Sequence, residues 1–304
     1  MRGILGGAGL CLLLASPAAA QGARETVLRL DNDILALRGR EAPPDYDYTH
    51  GLSLSIELPR APRWLARSLL SCHAVPSGET CLRTRLGGGQ RIYTPRHDAP
   101  EPLPGERPYA AWLYVSGDAV VESPSRRRTL TVELGVTGRP ALGEPVQNGI
   151  HRLLGSERQE GWDHQLGFQP GILLRYEDAH LLRRGLRGIG LLRLVPAWRV
   201  TAGNVRRGVD AGIAARLGRG GGRGVFGSVA ARQEWVLRDL FLDGNTLTAN
   251  SLAERLPLVT HGEVGVGYAF GGWALEYVFT ARSREYQAQP GPHRYGSLIL
   301  TLRR

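Results

Sequence analysis

Apolar and polar residues alternate along most of this chain. Thr26–Asp31 (TVLRLD) begins the pattern. His50–Leu58 (HGLSLSIEL) shows it most clearly, with Leu52, Leu54, Ile56 and Leu58 on one face and Ser53, Ser55 and Glu57 on the other. Thr129–Val136, Val209–Leu217, Val225–Trp235, Glu263–Phe270, Trp273–Arg282 and Tyr295–Leu302 follow the same rule. A period of two is that of a β-strand with two different faces. Roughly ten to twelve such strands are predicted, separated by Gly-, Pro- and Arg-rich turns such as 183–188 and 218–224.

Two segments break the alternation. Ala61–Cys72 places Trp64, Leu65, Leu69 and Leu70 at helical spacing and is predicted to be a short amphipathic helix in a loop. Glu144–Gln165 is the second. If its first half is helical, Glu144, Gln147 and His151 fall at i, i+3 and i+7 on one face, with Leu153 and Leu154 packing beside it. On spacing alone, a surface connection carrying one solvated histidine explains this stretch better than a site does.

The first twenty residues stand apart. Arg2, the apolar run Ile4–Ala15 (which contains Cys11) and the small-residue end Ala18-Ala19-Ala20 form a secretory signal peptide, with cleavage expected after Ala20. Residues 21–304 then form one exported domain. No later run is apolar and long enough for a spanning helix. The charge balance is basic, with Lys+Arg 38 against Asp+Glu 28, and every basic residue is an arginine. Arginine forms bidentate bonds to phosphate. In an exported protein the matching anion is lipid or lipopolysaccharide phosphate, not nucleic acid. Cys72 and Cys81, nine apart, suggest a disulfide closing a short loop. Gly218–Gly224 lacks the Gly-Lys-Ser/Thr ending of a phosphate loop and reads as a turn.

Alternating strands in an exported chain allow a soluble sandwich or barrel, or an outer-membrane barrel that is apolar outside and polar within. The polar faces rich in Ser, Glu, Arg and Gln favour the membrane barrel. So do aromatics placed as interface girdles (Tyr109, Trp112, Tyr114, Trp198, Trp235, Tyr268, Trp273 and Tyr277) and a final strand able to close on the first. The ending Leu302-Arg303-Arg304, with no terminal aromatic, argues against it.

Several strings in a fixed order then point to one family. They are Asn32-Asp33, Tyr48-Thr49-His50-Gly51, Gly89–Pro95 (GQRIYTP), Glu106–Trp112 (ERPYAAW), Glu133–Val136 (ELGV), Gln147–His151 with Gly161-Trp162-Asp163, Phe241–Thr246 (FLDGNT), and Glu285-Tyr286 with Tyr295-Gly296-Ser297. Together they resemble the lipid A 3-O-deacylase family of Gram-negative outer membranes, over essentially all of residues 21–304. The resemblance implies an all-β fold, an antiparallel transmembrane barrel of about twelve strands with short loop helices. It also implies a calcium-dependent esterase that removes the 3-linked acyloxyacyl group of lipid A, with its site between the barrel wall and a loop helix. Carried over position by position, the functional residues are Asn32, Asp33, Thr49, Gln147, His151 and Glu157. His50 stands where the family has Asn, Ala111 where Gly is common, and Glu106 where Asp is usual.

These residue types suit ester hydrolysis. An imidazole titrates near neutral pH, so His151 can be the general base that takes a proton from water. Calcium prefers oxygen ligands, which makes Asp33 and Glu157 its expected side-chain ligands, completed by backbone carbonyls. Asn32, Thr49 and Gln147 are then expected to orient water or donate to the oxyanion. The resemblance gives the carboxylate role to Glu157, so Glu144 drops out. His97 is a weaker rival to His151, and His164 reads as a strand-entry residue. The alternative function is a silent lipopolysaccharide-binding barrel or a porin-like channel. Nothing in the sequence sets the oligomeric state, and a monomer is the expectation.

Overall fold

The alternation is realised as thirteen strands among the described residues of a computed structural model, which are 25–36, 46–62, 80–99, 101, 103–187, 190–218, 223–246 and 253–303. The strands are β1 (Glu25–Asn32), β2 (Asp47–Glu57), β3 (Cys81–Thr94), β4 (Ala110–Glu122), β5 (Arg126–Val136), β6 (Pro170–His180), β7 (Leu182–Leu186), β8 (Gly190–Gly203), β9 (Arg206–Gly218), β10 (Gly224–Asp239), β11 (Leu258–Phe270), β12 (Trp273–Arg282) and β13 (His293–Arg303). Each pairs antiparallel with its neighbours, and β1 closes on β13 from Glu25↔Arg303 to Asn32↔Gly296. β6 and β7 run end to end along β8, so the barrel has twelve staves. The turn expected at 183–188 is therefore largely strand. The signal peptide, most of the helix expected at 61–72, and residues 219–222 lie outside the described residues. Cys81 is disulfide-bonded, and Cys72, its expected partner, also lies outside them.

The two faces of each strand meet different surroundings. Leu86, Val115, Leu134, Val229, Val264 and Val266 point outward and are more than half exposed. Their alternation partners point into the lumen, where Arg29 pairs with Asp31 at 2.7 Å and Arg91 with Glu133 at 2.8 Å. An apolar exterior around a charged interior is the inverse of a soluble barrel, and it suits a bilayer. Trp198, Trp235, Tyr268 and Trp273 are exposed, as girdle residues must be. Tyr109, Trp112 and Tyr114 are not girdle residues. All three are buried, because the residues around them are covered from both sides of the wall.

β4 shows this double cover. Ala110, Trp112 and Tyr114 pack inward with Leu173, Val205, Leu240 and Phe241. The intervening Ala111 packs outward with Ile92, Tyr109, Ala141 and Trp162. The Trp112 Nε1–H donates to Glu133 at 3.2 Å, and its ring lies so close over Gly135 that a Cβ there would sit 2.9 Å from it.

The strand ends Asn32 and Asp47, Thr94 and Ala110, Val136 and Pro170, Asp239 and Leu258, and Arg282 and His293, which bound the long connections, share one rim. This is the external rim by the rule for such barrels. Glu57 and Cys81, the other ends of β2 and β3, are at the opposite rim. The external end is closed by a polar cluster. Arg107, 1% exposed, lies 3.4 Å from Asp47 and 3.6 Å from Glu285, with Tyr93 and Tyr286 against its guanidinium. Burial alone would raise the Glu285 carboxyl. Arg282 and then Arg107 outweigh it and hold the group down at about 2.

Two outcomes are expected. Val264, 59% exposed at the middle of β11, faces lipid, so Val264→Arg should cost about 2–4 kcal/mol in folding into vesicles, and Val264→Leu should leave folding unchanged. Because the folded pKa of Glu285 is depressed, its contribution is complete above the ordinary carboxylate range and is lost as pH falls toward about 2. The protection of 283–292 against hydrogen exchange, measured relative to the intrinsic rate at each pH, should therefore fall on acidification, and Glu285→Gln should flatten that dependence.

Candidate active site

α1 (Gly143–Leu154) is the helix expected from the second break in the alternation. It starts after Leu142 and ends on Gly155, whose left-handed backbone returns an N–H to the His151 carbonyl. Its buried residues are Gly143, Gln147, Asn148 and His151, so the buried face runs i, i+4, i+8 from Gly143. Glu144 lies off that face and pairs with Arg158 at 2.8 Å. Leu153 and Leu154 do not pack beside the polar face. They are 85% and 60% exposed, while His151 in the same last turn is buried.

α1 lies on the outside of the barrel, over β3 and β4. A Cβ on Gly143 would sit 2.7 Å from the Ala111 methyl and 2.4 Å from the Trp162 ring, so only glycine permits this approach. Trp162, in the short turn Gly161–His164, fills the space between helix and wall and is 1% exposed. Gln90 reaches out from β3 to donate to the Ala141 carbonyl at 2.6 Å. Burial of Ile92, Ala141 and Trp162 supplies on the order of 1.5–3 kcal/mol per large side chain.

The polar face is held in place from several sides. Trp162 Nε1–H donates to Gln147 Oε1 at 2.9 Å, which turns the Gln147 amide nitrogen away from Trp162. That nitrogen is a buried donor with no hydrogen-bond acceptor among the described residues. His151 is 4% exposed, and its Nδ1 lies 2.5 Å from the Glu157 carbonyl oxygen. A carbonyl can only accept, so Nδ1 carries the proton and Nε2 is the basic nitrogen of the neutral ring. Asn148 fixes the segment that supplies this carbonyl by accepting from Gln159 N at 2.9 Å and donating to Gln159 O at 3.3 Å. The Glu157 side chain itself is exposed.

The other half of the site stands on the same rim. Asn32, His50 and Ile92 form one outward cross-strand row, Asn32↔His50↔Ile92. At about 4.8 Å per strand, Asn32 is roughly 10 Å from the residue on which α1 rests. Asn32 Oδ1 accepts from Ile34 N at 2.7 Å, which bends the chain out of β1 into a short turn. Asp33, the next residue, is thereby fully buried and accepts from Tyr46 N at 3.2 Å. Thr49 is the extra residue of a bulge in β2, and its hydroxyl lies 2.6 Å from that of Thr94 on β3. Gly51 completes the Tyr-Thr-His-Gly string. A Cβ there would meet the Tyr48 hydroxyl at 1.8 Å, and that hydroxyl must reach Asp31 at 2.8 Å in the lumen. No group of three or more His, Cys, Asp and Glu side chains converges as a metal cluster among the described residues.

The rival histidines sit elsewhere. His97 is exposed and paired with Glu106, which also accepts from the Arg96 and His97 backbone. His164 is exposed in the turn Gly161–His164, not at a strand entry. Trp162 and Asn148 orient Gln147 and His151, but neither carries a titratable group by which spacing could single it out.

A protein-family model described as outer membrane protein LpxR matches residues 8–304. The chain belongs to the LpxR family. By structure it is similar to LpxR from Salmonella typhimurium, with 19% identity, a TM-score of 0.76, and coverage of 92% of this chain and 100% of that one. It is also similar to the β domain of the Bordetella autotransporter BrkA, with 12% identity, a TM-score of 0.50, and coverage of 92% and 99%. Among curated proteins, none matches by sequence. The match to the Salmonella barrel supports the twelve-stave architecture, and the family match covers every motif placed on the outer wall above.

Removing the Trp162 ring should release the helix without opening the barrel. Trp162→Ala is expected to cost about 3–5 kcal/mol of docking. In hydrogen exchange, Gly143–Leu154 should lose protection while β3 and β4 keep theirs.

Proposed function

We propose that this LpxR-family barrel is a calcium-dependent lipid A 3-O-deacylase, hydrolysing the ester that links the acyloxyacyl group to the 3-position of the sugar. The observation that carries this reading is the Nδ1 to Glu157 carbonyl hydrogen bond of His151. It leaves Nε2 as the basic atom on a helix face pressed against the lipid-facing wall.

In this reading His151 Nε2 removes a proton from a water molecule as its oxygen attacks the ester carbonyl. The carbonyl oxygen becomes an oxyanion, and the Gln147 amide N–H, already aimed by Trp162, donates to it. On collapse the C–O bond to the sugar breaks. The imidazolium of His151 returns the proton to the departing sugar oxygen, leaving a free hydroxyl and an acyloxyacyl acid. Asn32 on β1 and Thr49 on β2 stand on the same external rim as α1, and each is assigned to orient water or the incoming ester. Asp33 is a buried carboxylate of the hard-oxygen type calcium prefers, and we assign it as the side-chain ligand, with backbone carbonyls completing the shell. Glu157 can add its carboxylate only by turning in from solvent. When bound, calcium polarises the ester carbonyl and stabilises the charge that develops on its oxygen. One chain supplies every residue of this site, so a monomer suffices.

Mass spectrometry of lipid A from cells expressing the protein is expected to show loss of the 3-linked acyloxyacyl mass, and a calcium chelator should prevent it. His151→Ala should lower turnover by about 10²–10⁴ with the barrel still folded. Unchanged lipid A beside correctly inserted protein would favour a silent lipopolysaccharide-binding barrel instead.

A further inference from the structure

The lumen holds a second group of cations that the outer-wall site does not use. It contains a cavity of about 470 Å³ lined by seven arginines. Five have carboxylate partners: Arg29 with Asp31, Arg91 with Glu133, Arg199 with Asp210 at 2.7 Å, Arg206 with Glu234 at 2.8 Å, and Arg282 with Glu285 at 3.2 Å. The other two are Arg175 on β6 and Arg232 on β10. Among the described residues neither forms an ion pair, and Glu263, the remaining carboxylate of the lining, reaches neither.

Arg232 donates instead to the His261 ring nitrogen Nδ1 at 2.9 Å, and its Nε has no hydrogen-bond acceptor among the described residues. His261 keeps its own proton on Nε2 for Glu234 at 3.1 Å, so the ring stays neutral and adds no negative charge. The charges closest to Arg175 are Glu133, Arg91, Arg199 and Arg206, three cations to one carboxylate. Around Arg232 stand Arg199 and Arg282 against Asp210 and Glu234, so Arg199 is the common neighbour of the two. Guanidiniums out of bulk water without a directly paired carboxylate are costly. A planar fork with open donors matches the paired oxygens of a phosphate-type anion. Phe241 stacked on Tyr93, with ring centroids 4.4 Å apart, lines this space, and α1 lies on the other side of the wall over β3 and β4.

We propose that the lumen is a binding site for a small soluble oxyanion of the phosphate class, held by Arg175 and Arg232 with Arg199 between them. It is separate from the ester-cleaving site, and the two share no residue.

The full chain, folded in zwitterionic detergent, should bind inorganic phosphate saturably in titration calorimetry, more weakly as salt rises. Arg175→Gln and Arg232→Gln should each weaken binding by about tenfold, and the double variant should abolish it while migrating as a folded barrel on unheated gels. Lipid A added in the same detergent should not displace the phosphate. Three results would overturn the proposal: no saturable binding by the parent protein, undiminished binding by the folded double variant, or displacement by lipid A, which would put the anion on the outer wall.

Discussion

A bilayer tolerates almost nothing polar on the outside of a barrel, and that constraint organises this molecule. Each strand has one face for lipid and one for the lumen. Asn32, His50 and Gln90 lie on the lipid side of that alternation, where Leu, Val and aromatics otherwise stand. Two of them are satisfied locally: Asn32 accepts from Ile34 N and Gln90 donates to the Ala141 carbonyl. Beside them α1 and Trp162 cover the wall at Ile92 and Ala111. In the proposed function, this contact of helix and wall supplies the dry surroundings that a lipid ester requires.

The same wall is loaded from both sides. β4 sends Trp112 inward onto Gly135 and Glu133, and sends Ala111 outward beneath Gly143. A helix can approach so closely only where the outward side chains are small. The wall stays rigid because the inward ones fill the external end of the lumen beneath the Arg107 cluster. The substrate side and the charged lumen are thus separate compartments with one wall between them. That separation is why two chemistries, ester cleavage outside and anion binding inside, can be assigned to one barrel.

Much of this was legible in the residues. His50–Leu58 announced both faces of β2, and the break at Glu144–Gln165 announced α1. The positions of Asn32, Thr49, Gln147 and His151 on one external rim follow from the order of the family strings. Other features were not legible, for physical reasons. Helical spacing nominated Glu144, yet Gly143 sets the buried face, because only a glycine fits against Ala111. Periodicity treated Trp112 and Tyr114 as girdle residues, since a strand's own sequence cannot say which of its faces a neighbouring loop will cover. Glu157 was matched as a carboxylate, whereas in the fold its main-chain carbonyl holds His151 and its side chain faces solvent. A backbone contact leaves no mark on side-chain identity.

The central claim is that the lipid meets the protein on the outer wall, between α1 and the ends of β1 to β3. Photo-crosslinking tests it most directly, using lipid A with a diazirine in its 3-linked acyl chain, the His151→Ala protein in outer-membrane vesicles, and peptide mapping. Adducts are expected on the exposed Leu153 and Leu154 of α1 and on the outward face of β2, at Leu52 and Leu54. Adducts confined to lumen-facing residues such as Ser53 or Arg175, or spread evenly around all twelve staves, would contradict it.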